Sequence, residues 1–123
     1  MGKKIKSFVN LIAWKKSHQF VLDIYKITKK LLKNEKYSLV DQMRRAAVSI
    51  TSNIAEGFYR RTANDKSHFY FTSLGSLAEI QNQLLIAKDL KYIEIFEFKV
   101  LAFKSIEIRK LLNGLMKSSF IKS

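Results

Sequence analysis

Apolar residues fall into four long stretches with the alternating three-and-four spacing of α-helices, separated by short polar breaks. In the first, Leu11, Trp14, His18, Val21, Tyr25, Thr28 and Leu32 form one stripe, and Phe20, Ile24, Ile27 and Leu31 form the adjoining one. Lys15, Lys16, Asp23, Lys26, Lys29 and Lys30 take the opposite side, which predicts an amphipathic helix over 11–33 with Asn10 as its N-cap. Ser38 and Asp41 read as a capping box opening a second helix, with Leu39, Met43, Ala46, Ala47, Ile50 and Ile54 on its stripe and Gly57 as its stop. Thr62 and Asp65 repeat the signal for a third helix, whose stripe is Tyr70, Leu74, Leu77, Gln81, Leu84 and Leu85, running to about Leu90. A fourth, from near Glu94 to Lys117, carries Phe98, Leu101, Ile108, Leu111, Leu112 and Leu115, with Phe103 and Ile106 beside them.

Proline is absent and only four glycines occur, so the chain lacks the regular punctuation of an all-β fold. Four helices with short connections predict an all-α protein, an antiparallel up-down four-helix bundle. At 123 residues it forms one domain, with a flexible basic arm over 1–9 and a frayed tail over 118–123. The first and fourth helices are apolar over a wider arc than one core requires, which predicts self-association; the alternative is that every aromatic fits within one monomer. Ser73, Gly75, Ser76 and Ala78 predict a close helix-helix approach, because a mid-helix glycine costs about 1 kcal/mol against alanine and calls for a packing reason.

The run Gln42-Met43-Arg44-Arg45-Ala46-Ala47-Val48-Ser49-Ile50, continued by Asn53-Ile54-Ala55-Glu56-Gly57, resembles the four-helix-bundle proteins encoded in intervening sequences of large-subunit ribosomal RNA genes. Trp14-Lys15-Lys16, Leu74-Gly75-Ser76-Leu77-Ala78-Glu79 and Leu111-Leu112-Asn113-Gly114-Leu115 are similar to other recurring segments of that family, in the same order. The resemblance implies an antiparallel bundle, commonly a ring-shaped pentamer, with no established enzymatic activity and a suspected role in nucleic-acid binding. It also implies kinship with the accessory protein of diversity-generating retroelements, a basic pentamer that partners a reverse transcriptase. Thr51 stands where the family usually has proline, which weakens any kink in the second helix, and Lys91 stands where a glycine commonly closes the third.

Charge narrows the function classes. The 23 Lys and Arg against 10 Asp and Glu give a net charge of +13, a field that attracts RNA, DNA or an acidic protein surface; the bland alternative is a lysine-rich, merely soluble surface. With no cysteine there is neither a disulfide framework nor a thiolate metal site, and no apolar segment reads as a signal peptide or a membrane span. The cytoplasm is the expected compartment, without a membrane partner.

Candidate residues divide by the chemistry they allow. Arg60, Arg61 and Lys66 cluster around the start of the third helix, where the helix dipole adds to anion attraction, and make the first candidate for nucleic-acid binding. Lys15 and Lys16, with Lys26, Lys29, Lys30 and Lys33, lie on a polar helix face that also reads as simple solvation. Of Arg44 and Arg45, one is expected to pin the bundle or a subunit interface while the other faces solvent and is free for phosphate. Lys3, Lys4 and Lys6 belong to the arm and add non-specific contacts. No base-reading module is recognisable, so binding is expected to be electrostatic and weakly selective.

Enzymatic readings have thin support. Glu56, three residues beyond Asn53, reads as a structural carboxylate paired with Arg44 or Arg45 rather than a general acid. Asp65-Lys66-Ser67-His68 offers no Glu-x-x-His pair for a di-iron site, and His18 reads as a core or interface histidine, so neither metal nor cofactor is expected. Arg61 and His68 have a spacing that resembles small helical HEPN ribonucleases, but Thr62 as a helix cap between them places Arg61 in a loop. A protein-interaction scaffold, such as a polymerase accessory subunit, remains the main alternative to nucleic-acid binding.

Overall fold

A computed structural model describes residues 5–33 and 38–122, the last by its backbone alone. Lys3 and Lys4 of the arm lie outside the described residues. A 3-10 turn, Phe8–Asn10, leads into α1 (Ile12–Leu31), α2 (Leu39–Phe58), α3 (Ala63–Asp89) and α4 (Ile95–Lys122), and no strand occurs among the described residues. The tail expected to fray is helical from 118 to 122.

Each helix packs on its neighbour in the chain, and α1 closes the bundle against α4. Two ion pairs record the antiparallel run of that last seam. Lys30 meets Glu97, and Asp23, seven residues back along α1, meets Lys104, seven residues on along α4. The core holds Phe20, Ile24, Leu31, Met43, Ile50, Ile54, Leu77, Ile80, Leu84, Ile108 and Leu112, all fully buried. Every stripe residue expected of α2 is among the buried residues.

The other helices show how periodicity misplaces a facing angle. In α1 the core takes Phe20, Ile24, Ile27 and Leu31, with Val21 and Thr28 beside them, while His18, Tyr25 and Leu32 are exposed and Trp14 is half-buried. Of the two adjoining stripes, the one richer in branched aliphatics takes the interior. His18 is therefore not a core histidine of the monomer. On α3, Leu85 is exposed and Ser73, Ser76, Ile80, Gln83 and Ala87 join the buried face.

The helix ends also correct the sequence reading. Asn10 is the last residue of the 3-10 turn, and Leu11 occupies the N-cap of α1 with no side-chain cap bond. Ser38 has helical backbone angles and makes no side-chain cap bond, whereas Thr62 Oγ1 accepts from the Asp65 amide at 3.1 Å. Gly57 lies inside α2 without a positive φ; an added Cβ there would sit 2.7 Å from Tyr70 Cε1 and 3.0 Å from Phe69 Cβ. Glycine is needed for close approach, not for a left-handed turn. The left-handed residue is Lys91, with φ 63°. Its amide donates to Lys88 O at 2.9 Å and that of Tyr92 to Ala87 O at 2.8 Å, a Schellman closure built without glycine.

Candidate nucleic-acid interface

The α2–α3 turn, the 3-10 turn, the start of α1 and the last turns of α4 meet at one end of the bundle. Aromatic rings tie these pieces together. Phe8 packs edge-on against Trp14 at 5.3 Å and Tyr59 at 6.2 Å, and Phe58 meets Tyr59 at 4.9 Å. Trp14 stacks flat on His18, with centroids 4.6 Å apart. Tyr59 is 61% exposed, an unusual amount for a large ring without an outside partner.

The basic residues here have different duties. Arg61, in the turn before the Thr62 cap, is exposed and makes no hydrogen bond or ion pair among the described residues. Arg60 lies over the Phe69 ring at 4.5 Å and approaches Glu56 at 3.5 Å, a loose surface pair. The partner of Glu56 is thus Arg60, one turn further on, and not Arg44 or Arg45. Lys66 turns inward: its Nζ donates to Phe58 O at 2.6 Å and Gly57 O at 3.4 Å, capping the C-terminus of α2, and its partial burial lowers its pKa from the usual lysine value. Its spacing places Lys66 with the arginines, because spacing alone does not reveal that the preceding helix ends with its carbonyls facing it.

Lys15 and Lys16 are exposed on the first turn of α1, beside Trp14, and neither forms an ion pair among the described residues. Of Arg44 and Arg45 one pins the bundle and one faces solvent, but the solvent-facing one is paired with a carboxylate instead of free. Arg44 Nε donates to Thr28 Oγ1 at 2.8 Å and an Nη donates to Tyr25 O at 3.3 Å, with the guanidinium 4.6 Å above the Tyr25 ring. That pins α2 to α1. Arg45 faces solvent, paired with Asp41 at 2.9 Å. Asn53 is held within its helix by a 2.8 Å bond to Ser49 O.

His68 is exposed on α3 against Phe69, and the groove that Arg61 lines does not include it. Among the described residues no three His, Asp or Glu side chains gather where they would hold a metal ion, and no helix is long and apolar enough to cross a membrane. The aromatic half of this interface is not apparent in the sequence. Phe8, Tyr59 and His18 lie far apart along the chain, and the one available signal is the adjacency of Phe58-Tyr59 to Arg60-Arg61.

No curated protein matches the chain. Among solved structures, it is similar to a Bacteroides thetaiotaomicron protein of unknown function from the S23 ribosomal protein family, with a TM-score of 0.81 and 25% identity over 86% of this chain and 99% of that one. The model of the 23S rRNA-intervening sequence protein family matches residues 9–114, from the turn before α1 into α4, and the chain belongs to that family.

Proposed function

We propose that this protein is a non-enzymatic, cytoplasmic homo-oligomer that binds single-stranded RNA or DNA through electrostatic, weakly selective contacts centred on the α2–α3 end of the bundle. The observation that carries the reading is the coincidence there of unpaired cations, Arg61, Lys15 and Lys16, with exposed aromatic surface at Tyr59 and on the Trp14–His18 stack. Phosphates need the first and unpaired bases stack on the second. The five ion pairs leave most of the described cations without an acidic partner, so the long-range field survives folding.

Self-association rests on a separate observation. Phe96, Val100 and Phe103 follow one face of α4 at helical spacing, and Phe96 and Phe103 are 74% and 66% exposed. On α3, Phe71 is exposed and a Cβ added at Gly75 would meet nothing within 4 Å, so the packing reason expected for that glycine is absent from the monomer and fits a contact outside it. A closed ring, with five copies as the family resemblance implies, would multiply the basic end by its subunit count.

Fluorescence anisotropy with a labelled single-stranded RNA over a salt series tests the binding. If about five phosphates are neutralised, log affinity falls against log salt with a slope near −3.5. Absence of binding at about 50 mM salt would favour the protein-scaffold alternative. Light scattering tests the assembly: a monomer mass at all concentrations would remove the oligomer from the proposal.

A further inference from the structure

A groove of about 250 Å³ opens at the same end, between the start of α3 and the last turns of α4. Ile5, Leu11, Phe58 and Leu115 give it an apolar wall, and Arg61, Lys66, Tyr70 and the Ser118-Ser119 pair bring polar groups to it. A largely apolar pocket with a few convergent polar groups is the usual form of a ligand site, and this volume suits a single nucleobase better than a large cofactor.

The polar groups have unused capacity. Tyr70 is only 1% exposed, and its hydroxyl has no hydrogen-bond partner among the described residues. It is not sealed in, however. Among the described residues the fully enclosed side-chain atoms without partners are Ser17 Oγ and Gln83 Oε1; the Tyr70 hydroxyl is not one of them, and Tyr70 lines the groove. Buried tyrosine hydroxyls normally find a partner. Lys66 spends two of its three N–H donors on Gly57 O and Phe58 O, leaving one. The Thr62 cap satisfies only the Asp65 amide, so the first amides of α3, at Ala63 and Asn64, remain as an anion-attracting end beside Arg61.

We propose that this groove takes one unstacked nucleotide of the bound single strand, its base against the apolar wall with a polar edge on the Tyr70 hydroxyl, its phosphate on Arg61 at the N-terminus of α3. The choice of ligand rests on the nucleic-acid reading above. A base already unpaired enters without the cost of opening a duplex.

Tyr70→Phe removes the hydroxyl and keeps the ring that packs on Gly57. Anisotropy with single-stranded RNA, and with inorganic polyphosphate as a polyanion without bases, separates the groove from the general field. Loss of one neutral hydrogen bond predicts RNA binding about three- to ten-fold weaker, with an unchanged salt slope and an unchanged affinity for polyphosphate. Equal RNA affinity in the variant and the parent, or equal weakening towards both polymers, overturns the groove and leaves electrostatic binding standing. If the parent binds neither polymer, the function proposed above fails, and calorimetry with adenosine 5′-monophosphate decides the groove alone. Nucleotide binding that Tyr70→Phe weakens then supports it, and no binding overturns it. Should Tyr70→Phe fail to fold, Leu115→Trp, which fills the groove from α4, is read by the same contrast.

Discussion

The two seams that hold the ends of the chain's path together are built differently. Between α2 and α3, small residues bring the backbones close: Ser73 Oγ donates to Ile50 O at 2.8 Å, Ser49 and Ser76 share a 2.7 Å bond, and Gly57 admits the Tyr70 ring. Between α1 and α4 the closure is by long charged side chains, Lys104 to Asp23 at 2.7 Å and Lys30 to Glu97, along a groove of about 290 Å³ with Phe96 and Val100 on its lip. A seam of small residues is dry and intolerant of added volume, whereas a seam of surface ion pairs contributes little and leaves apolar area uncovered. The bundle thus has a closed side that specifies the fold and an open side whose apolar surface is left uncovered.

Overfilling the closed seam has the largest expected effect. Gly57→Ala puts a methyl group 2.7 Å from the Tyr70 ring, which is itself enclosed, and is expected to destabilise the fold by about 2–3 kcal/mol in urea denaturation. Unchanged stability would mean that the seam is slack. Next is the arginine pair. Arg44→Ala removes charged hydrogen bonds between α1 and α2 and is expected to cost about 1.5–3 kcal/mol, against about 0.5 kcal/mol or less for Arg45→Ala. Equal costs would undo the division of labour between the two residues.

The turn that carries the chain from α3 to α4 links the two sides. Lys91 holds a left-handed conformation there, so Lys91→Gly is expected to stabilise by about 1 kcal/mol, seen as a raised urea midpoint. The smallest effect belongs to the open seam. Glu97 accepts from Lys30 and from the Glu94 amide at 2.9 Å, and the Lys30 ammonium with that amide holds its pKa below the usual glutamate value. Its contribution is full above the ordinary glutamate pKa and is lost as pH falls through the depressed value; Lys30, raised by the same partner, loses its share only as pH rises through its own raised value. Glu97→Gln should therefore lower neutral stability slightly, flatten the acid limb by the same small amount and leave stability below that limb nearly unchanged.

The closed side is largely legible in the sequence. Helix number, the α2 stripe, the Thr62 cap and, of the four small residues expected at a close approach, Ser73 and Ser76 follow from spacing and local chemistry, because each depends on residues within one or two turns, whereas Gly75 and Ala78 are exposed. The role of Gly57 is misread for the same reason: a local rule assigns it a C-cap, while the deciding contact comes from Tyr70, thirteen residues away on another helix. The basic, aromatic end is half legible. Arg61, Lys15 and Lys16 can be picked out by charge alone, but Lys66 is committed to the α2 carbonyls, and the aromatic cluster of Phe8, Trp14, His18 and Tyr59 exists only once distant segments meet. Surplus apolar surface on α4 is visible as a wide arc, and the exposed Phe96 and Phe103 locate it.

Moving the same loss of charge from one end of the bundle to the other tests most directly whether polyanion binding is localised at the aromatic end. Lys15→Ala with Arg61→Ala removes two cations from the aromatic end; Lys29→Ala with Lys99→Ala removes two from the opposite end, near the Lys30–Glu97 pair. With single-stranded RNA, the first pair is expected to flatten the salt slope by about 1.4, at about 0.7 for each phosphate that is no longer neutralised, and the second to leave it nearly unchanged. An equal change of slope in both double variants, with equal weakening of affinity, would contradict a localised interface and reduce the binding to net charge alone.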